Sequence, residues 1–98
     1  PFETNGRTLV PFRFIGEALG AEVDYDSKTK VVSYKLGNKT IELKINSKEI
    51  KVNGSSFTMD ESAKLINSRT FVPLRVVSEQ LGYQVEWESA EKKIVIKP

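Results

Sequence analysis

The stretch "NSRTFVPLRVVSEQLG", residues 67–82, decides the reading of this chain, because "NGRTLVPFRFIGEALG" has already appeared at residues 5–20. Set without gaps at an offset of 62 (5 against 67), residues 5–35 and 67–97 are identical at Asn5, Arg7, Thr8, Val10, Pro11, Arg13, Glu17, Leu19, Gly20, Val23, Ser27, Lys30 and Lys35. The replacements keep their chemistry: Asp24 aligns with Glu86, Tyr25 with Trp87, Asp26 with Glu88 and Val32 with Ile94. This is an internal repeat, 5–35 and 67–97.

Each phrase predicts a short helix. Pro11 and Pro73 suit its first position, where the missing N–H costs nothing, and Gly20 and Gly82 suit the left-handed residue just past its end. Between these marks Phe12, Ile15, Ala18 and Leu19 share one face, as do Leu74, Val77 and Leu81. Arg13/Glu17 and Arg75/Glu79 stand at i,i+4 in the less favourable order, which stabilises an isolated helix by about 0.2–0.5 kcal/mol at most. So weak a pair, written twice, predicts structural braces that reach loop carbonyls as well as Glu17 and Glu79.

After each glycine the period changes from helical to two. "AEVDYDSKTKVVSYK" sets Val23 and Tyr25 inward against Asp24 and Asp26 outward, and returns through Val32 and Tyr34; "YQVEWESAEKKIVIK" does the same with Val85, Trp87, Ile94 and Ile96. Between the copies "KTIELKIN" and "KEIKVNG" alternate as two further strands, "SSFTMD" adds a short one, and "ESAKLINS" leads on as a loop. The expected fold class is α+β in two layers: an antiparallel meander sheet of about five strands against two short helices, with a C-terminal hairpin. Ile15, Leu19, Val23, Tyr25, Val77, Leu81, Val85 and Trp87 are the expected core.

Composition narrows the chemistry. Ninety-eight residues, 39% apolar and 29% charged, fit one globular domain over 1–98. The chain has no Cys and no His, which removes disulfides, thiolate metal sites, thiol nucleophiles and the commonest general base. Its net charge of +2 comes from 15 basic and 13 acidic residues mixed at short range, so no nucleic-acid stripe is present. No apolar run approaches the roughly 18 residues of a membrane-spanning helix. The opening "PFETNGRTL" carries no export-signal pattern and reads as an excised or processed piece.

These residues resemble a known family. "GRTLVPFRFIGEALGAEVDYD", repeated as "SRTFVPLRVVSEQLGYQVEWE" after "IKVNG", is similar to the copper amine oxidase N-terminal-like domain, a module of exported and cell-surface proteins of Gram-positive bacteria. The resemblance covers essentially the whole chain and implies a two-layer α/β fold with an antiparallel meander wrapped against helices. It also implies a dispensable, stalk-like role, since copper and quinone belong to a different domain of those oxidases. Without His neither metal nor oxidase chemistry carries over, and no cofactor is expected. The second copy is preceded by about two strands, residues 40–52, and the first by none, so two readings stand: a first unit truncated at its N-terminus, cut inside a longer array, or a piece that completes its sheet by pairing the two copies.

Several side chains invite a functional reading. Arg13 and Arg75 are candidate anion, carbohydrate or partner contacts, weighed against architecture together with Glu17 and Glu79. Phe14, off the helical stripe, and Phe2 and Phe57, in loops, are candidates for an exposed aromatic contact. Asp24/Asp26 and Glu86/Glu88 place two carboxylates on one strand face, but a calcium loop needs further oxygen ligands, a Gly and a distal Glu, and none fits. "NKT" at 38–40 and "NGS" at 53–55 match the N-glycosylation pattern, and turn chemistry explains both. Pro11, Gly20, Tyr25, Pro73, Gly82 and Trp87 are structural. The expectation is a non-catalytic extracellular stalk or spacer, whose partners are other domains of a parent protein or a protein partner. The alternative is a module that binds cell-wall glycan or another polysaccharide. An enzyme would have to work through the paired acids.

Overall fold

Each copy of the repeated phrase opens as a strand and becomes a helix halfway. "RTLVP" and "RTFVP" carry β-branched Thr and Val beside a large apolar residue, types that favour extended backbone, and they form β2 (Arg7–Pro11) and β9 (Arg69–Pro73). The helices α1 (Phe12–Leu19) and α2 (Leu74–Gln80) begin one residue after the proline. This corrects the placement of Pro11 and Pro73 in the first helical turn. With φ −58°, ψ 136° and φ −63°, ψ 120° they are the extended residues from which each helix departs. Proline's fixed φ suits both positions and its absent N–H is harmless in both, so the sequence does not discriminate between them. Past the helices Gly20 takes φ +79° and Gly82 φ +97°, the left-handed region that costs glycine nothing.

The computed structural model describes residues 2–4, 7–88 and 93–98, with side chains from 8 to 86 and from 93 onward. Strands β2 and β9 pair antiparallel at the centre of a four-stranded sheet, order β1 (Phe2–Thr4), β2, β9, β8 (Lys64–Ile66). Val10 lies opposite Val72, its own counterpart at the offset of 62. β1 meets β2 with Phe2 opposite Leu9, and β8 meets β9 with Lys64 opposite Phe71, again 62 residues on. The strand order therefore reads the same from either end, with a local two-fold axis between Val10 and Val72. β1, β2, β8 and β9 all depart from the expected order of elements, which begins each copy at its helix. "ESAKLINS" reads as a loop because three residues are too few for a period to show.

The second sheet is a five-stranded antiparallel meander, β3 (Glu22–Asp26), β4 (Val31–Leu36), β5 (Lys39–Lys44), β6 (Glu49–Val52) and β7 (Ser55–Thr58). Its Asn53-Gly54 turn has φ +51° and +87°, the signs that a tight hairpin demands. A separate hairpin, β10 (Gln84–Glu88) and β11 (Lys93–Lys97), follows α2. The fold is α+β: two helices, a five-stranded meander and a C-terminal hairpin, as the alternation of periods predicts.

One core joins these parts. Ile15 and Leu19 of α1, Val77 of α2, and Leu81 just past its end pack with Val32, Tyr34, Ile41, Leu43 and Ile50 of the meander and with Val10 and Val72 of the central strands. Ala18, expected on the buried face, is exposed, and Gly16 is buried in its place. The reason is close packing: a Cβ on Gly16 would overlap the Cγ2 methyl of Val23. Val23, Tyr25 and Val85 are half-buried, and Trp87's side chain lies outside the described residues.

Candidate functional site

Among the described residues a half-open groove lies at the start of each helix. The larger, about 730 Å³, lies between α2, the β10–β11 hairpin and the segment around Asp60, and is lined by Leu74, Arg75, Glu79, Val85 and Thr8 among others. The smaller, about 490 Å³, is lined by Pro11, Phe12, Arg13, Tyr25, Ser68 and Thr70 among others. They are built alike. Each takes the Pro-apolar-Arg start of one copy's helix and the threonine of the other copy's strand, Thr8 in one and Thr70 in the other.

The repeated arginines differ inside these grooves. Arg75 Nη1 donates to the Val85 carbonyl at 3.0 Å and reaches Glu79 Oε2 at 3.5 Å, tying α2 to the first strand of its hairpin. Arg13 lies over the ring of Phe12, 4.9 Å from its centroid, a cation–π contact. Among the described residues it forms no ion pair with Glu17, so the expected second brace is absent. With Phe12 replaced by Leu74 in the other copy, Arg75 has no ring to lie on, and the carbonyl takes its guanidinium instead.

The remaining candidates do not converge. Phe14 and Phe57 are 58% and 54% exposed and line neither groove, and Phe2's side chain lies outside the described residues. Asp26 Oδ1 accepts the backbone N–H groups of Lys28 and Thr29, which fixes the β3–β4 turn. Asp24 is exposed opposite Ser33, and Glu86 pairs with Lys97 at 3.0 Å. Asn53 Oδ1 accepts from the Thr40 N–H at 2.8 Å, so the "NGS" asparagine serves its turn.

Three polar features escape sequence reasoning. Glu61, 6% exposed, forms an ion pair with Lys64 at 3.1 Å and accepts from the Ser62 N–H. It sits in the segment that reads as a loop, and no period announces a buried acid there. Tyr34, fully buried, donates its hydroxyl to the Phe12 carbonyl at 2.8 Å, and burial pushes its phenol well above the ordinary value. Ser78 Oγ is buried in α2 without a hydrogen-bond partner among the described residues.

The fold and its grooves thus define a small α+β domain built on two copies of one strand-helix-hairpin phrase, with its arginines at the helix starts. The chain matches the family model described as the copper amine oxidase N-terminal domain over residues 1–96, and it belongs to that family. Comparison with curated proteins and with solved structures returns no match. Its residues do not fit copper: the chain has neither His nor Cys, and the described residues contain no acidic group of three or more that could hold a metal. Among the described residues no helix is long and apolar enough to cross a membrane.

Proposed function

We propose that this domain is a non-catalytic extracellular module, a stalk or spacer that carries or links other domains of an exported or cell-surface parent protein. The observation that carries the reading is the use of Arg75, the most site-like residue of the larger groove, to hold a backbone carbonyl of β10. A groove arginine so engaged is a structural fastening. Membership of an N-terminal domain family, distinct from the copper- and quinone-bearing domain, supports an accessory role.

A ¹H–¹⁵N titration with peptidoglycan fragments and soluble polysaccharides tests the reading. A spectrum unmoved by either supports the spacer. Saturable shifts centred on Phe14 or Phe57, the exposed aromatics, would replace it with glycan binding. Protease accessibility of the parent protein on intact cells tests the location.

A further inference from the structure

Two strand edges of this domain are complementary to each other. Among the described residues β11 pairs with β10 alone, and β3 pairs with β4 alone. β11 presents exposed Lys93 and Lys97 with half-buried Val95 between them on its outer face, and half-buried Ile94 and Ile96, packed against the core, on its inner one. β3 presents exposed Glu22, Asp24 and Asp26 against half-buried Val23 and Tyr25. We propose that the β11 edge of one molecule takes the β3 edge of a second copy, joining its hairpin to the next molecule's meander in one continuous antiparallel sheet.

The register is already written inside the chain. β11 holds β10 with Lys97 opposite Gln84, Ile96 opposite Val85, Val95 opposite Glu86, Ile94 opposite Trp87 and Lys93 opposite Glu88. β3 is the repeat counterpart of β10, residue for residue, so a second copy's β3 offers Glu22 to Lys97, Val23 to Ile96, Asp24 to Val95, Tyr25 to Ile94 and Asp26 to Lys93. On one face Glu22 and Asp26 meet Lys97 and Lys93, adding an acid to lysines that each already hold a partner within their own molecule, and apolar residues meet on the other, the pairing that stabilises adjacent strands.

Charge also selects β3 over the edges of β10 and β7. Glu86 of β10 is already matched by Lys97 at 3.0 Å, whereas Asp24 faces Ser33 and forms no ion pair among the described residues. β7, "SSFT", carries no charge. A β11–β11 pairing centred on Val95 would set Lys93 against Lys97 in both directions, a like-charge arrangement that blocks self-pairing of this edge. The contact is head-to-tail and leaves an open β3 and an open β11 at the two ends, so it propagates as a linear array. This proposal goes beyond the spacer reading and does not depend on it.

Five residues a side make a weak contact, with Kd expected at about 0.1–1 mM. Sedimentation and backbone amide shifts of the intact chain, followed from dilute to near-millimolar concentration, are the test. The expected result is a rising mean mass, lowered by salt, with shifts confined to residues 93–97 and 22–26. Asp24→Lys and Val95→Glu should each weaken association about tenfold or more, and a mixture of the two variants should restore it, because the unaltered β11 of the first meets the unaltered β3 of the second, and the introduced glutamate faces the introduced lysine at the next contact.

Val95→Glu also brings a second acid against Glu86 and so loads the hairpin itself; Val95→Lys, which avoids this, serves as the second variant and should tighten association. Three results overturn the proposal: a monomer at every concentration, association indifferent to all three variants, or shifts mapping to β10 or β7 of the second copy. Saturable binding of an acidic β-strand peptide at β11 by a protein that stays monomeric would also overturn it, by assigning the edge to a different partner.

Discussion

The first copy's helix is held at both ends by tyrosine hydroxyls, one from each copy, and the equivalent positions offer α2 neither. Tyr34 donates to the Phe12 carbonyl at the start of α1, and Tyr83 donates to the Leu19 carbonyl at its end, 3.1 Å away. The counterparts at the offset of 62 are Ile96 and Ala21, neither of which can donate from its side chain. The hairpins differ in the same sense. β4 lies between β3 and β5, and its Val32 and Tyr34 are fully buried, whereas among the described residues β11 pairs with β10 alone and its Ile94 and Ile96 are only half-buried. One phrase, used twice, therefore yields one integrated unit and one appended unit, and what separates them is what each hairpin finds beside it.

The sharpest way to break that comparison is to truncate the equivalent residues. Tyr34→Ala should cost about 3–5 kcal/mol, since it empties a fully buried site and strands a carbonyl. Ile96→Ala should cost about 1–2 kcal/mol, because part of its side chain already meets solvent. Out of a total of about 5–15 kcal/mol the first leaves a marginal fold and the second a sound one. Urea midpoints decide it, and equal losses would dissolve the distinction between the copies.

Gly16 and Ser78 are the next pair. They are counterparts, and both are buried in their helices. Gly16→Ala drives a methyl into Val23, whose branched side chain has few rotamers to move to, and should cost about 1–3 kcal/mol despite the better helix propensity of alanine. In α2 the same position already bears a Cβ, with a hydroxyl that has no partner among the described residues. Ser78→Ala should therefore stabilise by up to about 1 kcal/mol. Opposite signs at equivalent positions are expected in thermal melts, and two losses of similar size would show that α2 packs as tightly as α1.

Most of this architecture is legible in the residues, and the failures have definite causes. Two periods, 3.6 between proline and glycine and 2.0 after it, predict both helices and both hairpins, because each segment buries one face against a common core. Ala18 is misplaced because the helical stripe counts apolar residues without sensing how near a neighbour comes, and Gly16 is buried by that nearness. β1 and β8 escape because three-residue strands are stabilised by their partners rather than by their own pattern.

Arg13 and Arg75 read as one device, and they part company because Phe12 and Leu74 differ beside them. Glu61 and the Tyr34 hydroxyl carry no signal at all: a buried polar group is recognised by its partner, and the partners stand at Lys64 and Phe12 through the fold.

The smallest expected effect isolates the tyrosine hydroxyl from its ring. Tyr34→Phe keeps the packing and removes one hydrogen bond to the Phe12 carbonyl, a loss of about 1 kcal/mol at neutral pH. The alkaline limb adds a second signature. Burial holds the folded phenol above the ordinary value of 10.0, so above about pH 10 the unfolded chain releases this proton while the folded one keeps it.

The folded state then binds more protons than the unfolded, and stability falls with rising pH. The contribution is intact below the unfolded value and is lost as pH climbs toward the folded one, at about 1.4 kcal/mol per pH unit. Tyr34→Phe lacks that slope, so the gap between variant and wild type should close and then reverse as pH rises past about 10. Denaturation midpoints taken between about pH 8 and 11 measure it, and parallel curves would mean that Tyr34 titrates as a solvated phenol does. Ile96→Tyr makes the reciprocal change in the second copy: a hydroxyl placed on the half-buried β11 meets water, and no comparable alkaline slope should appear.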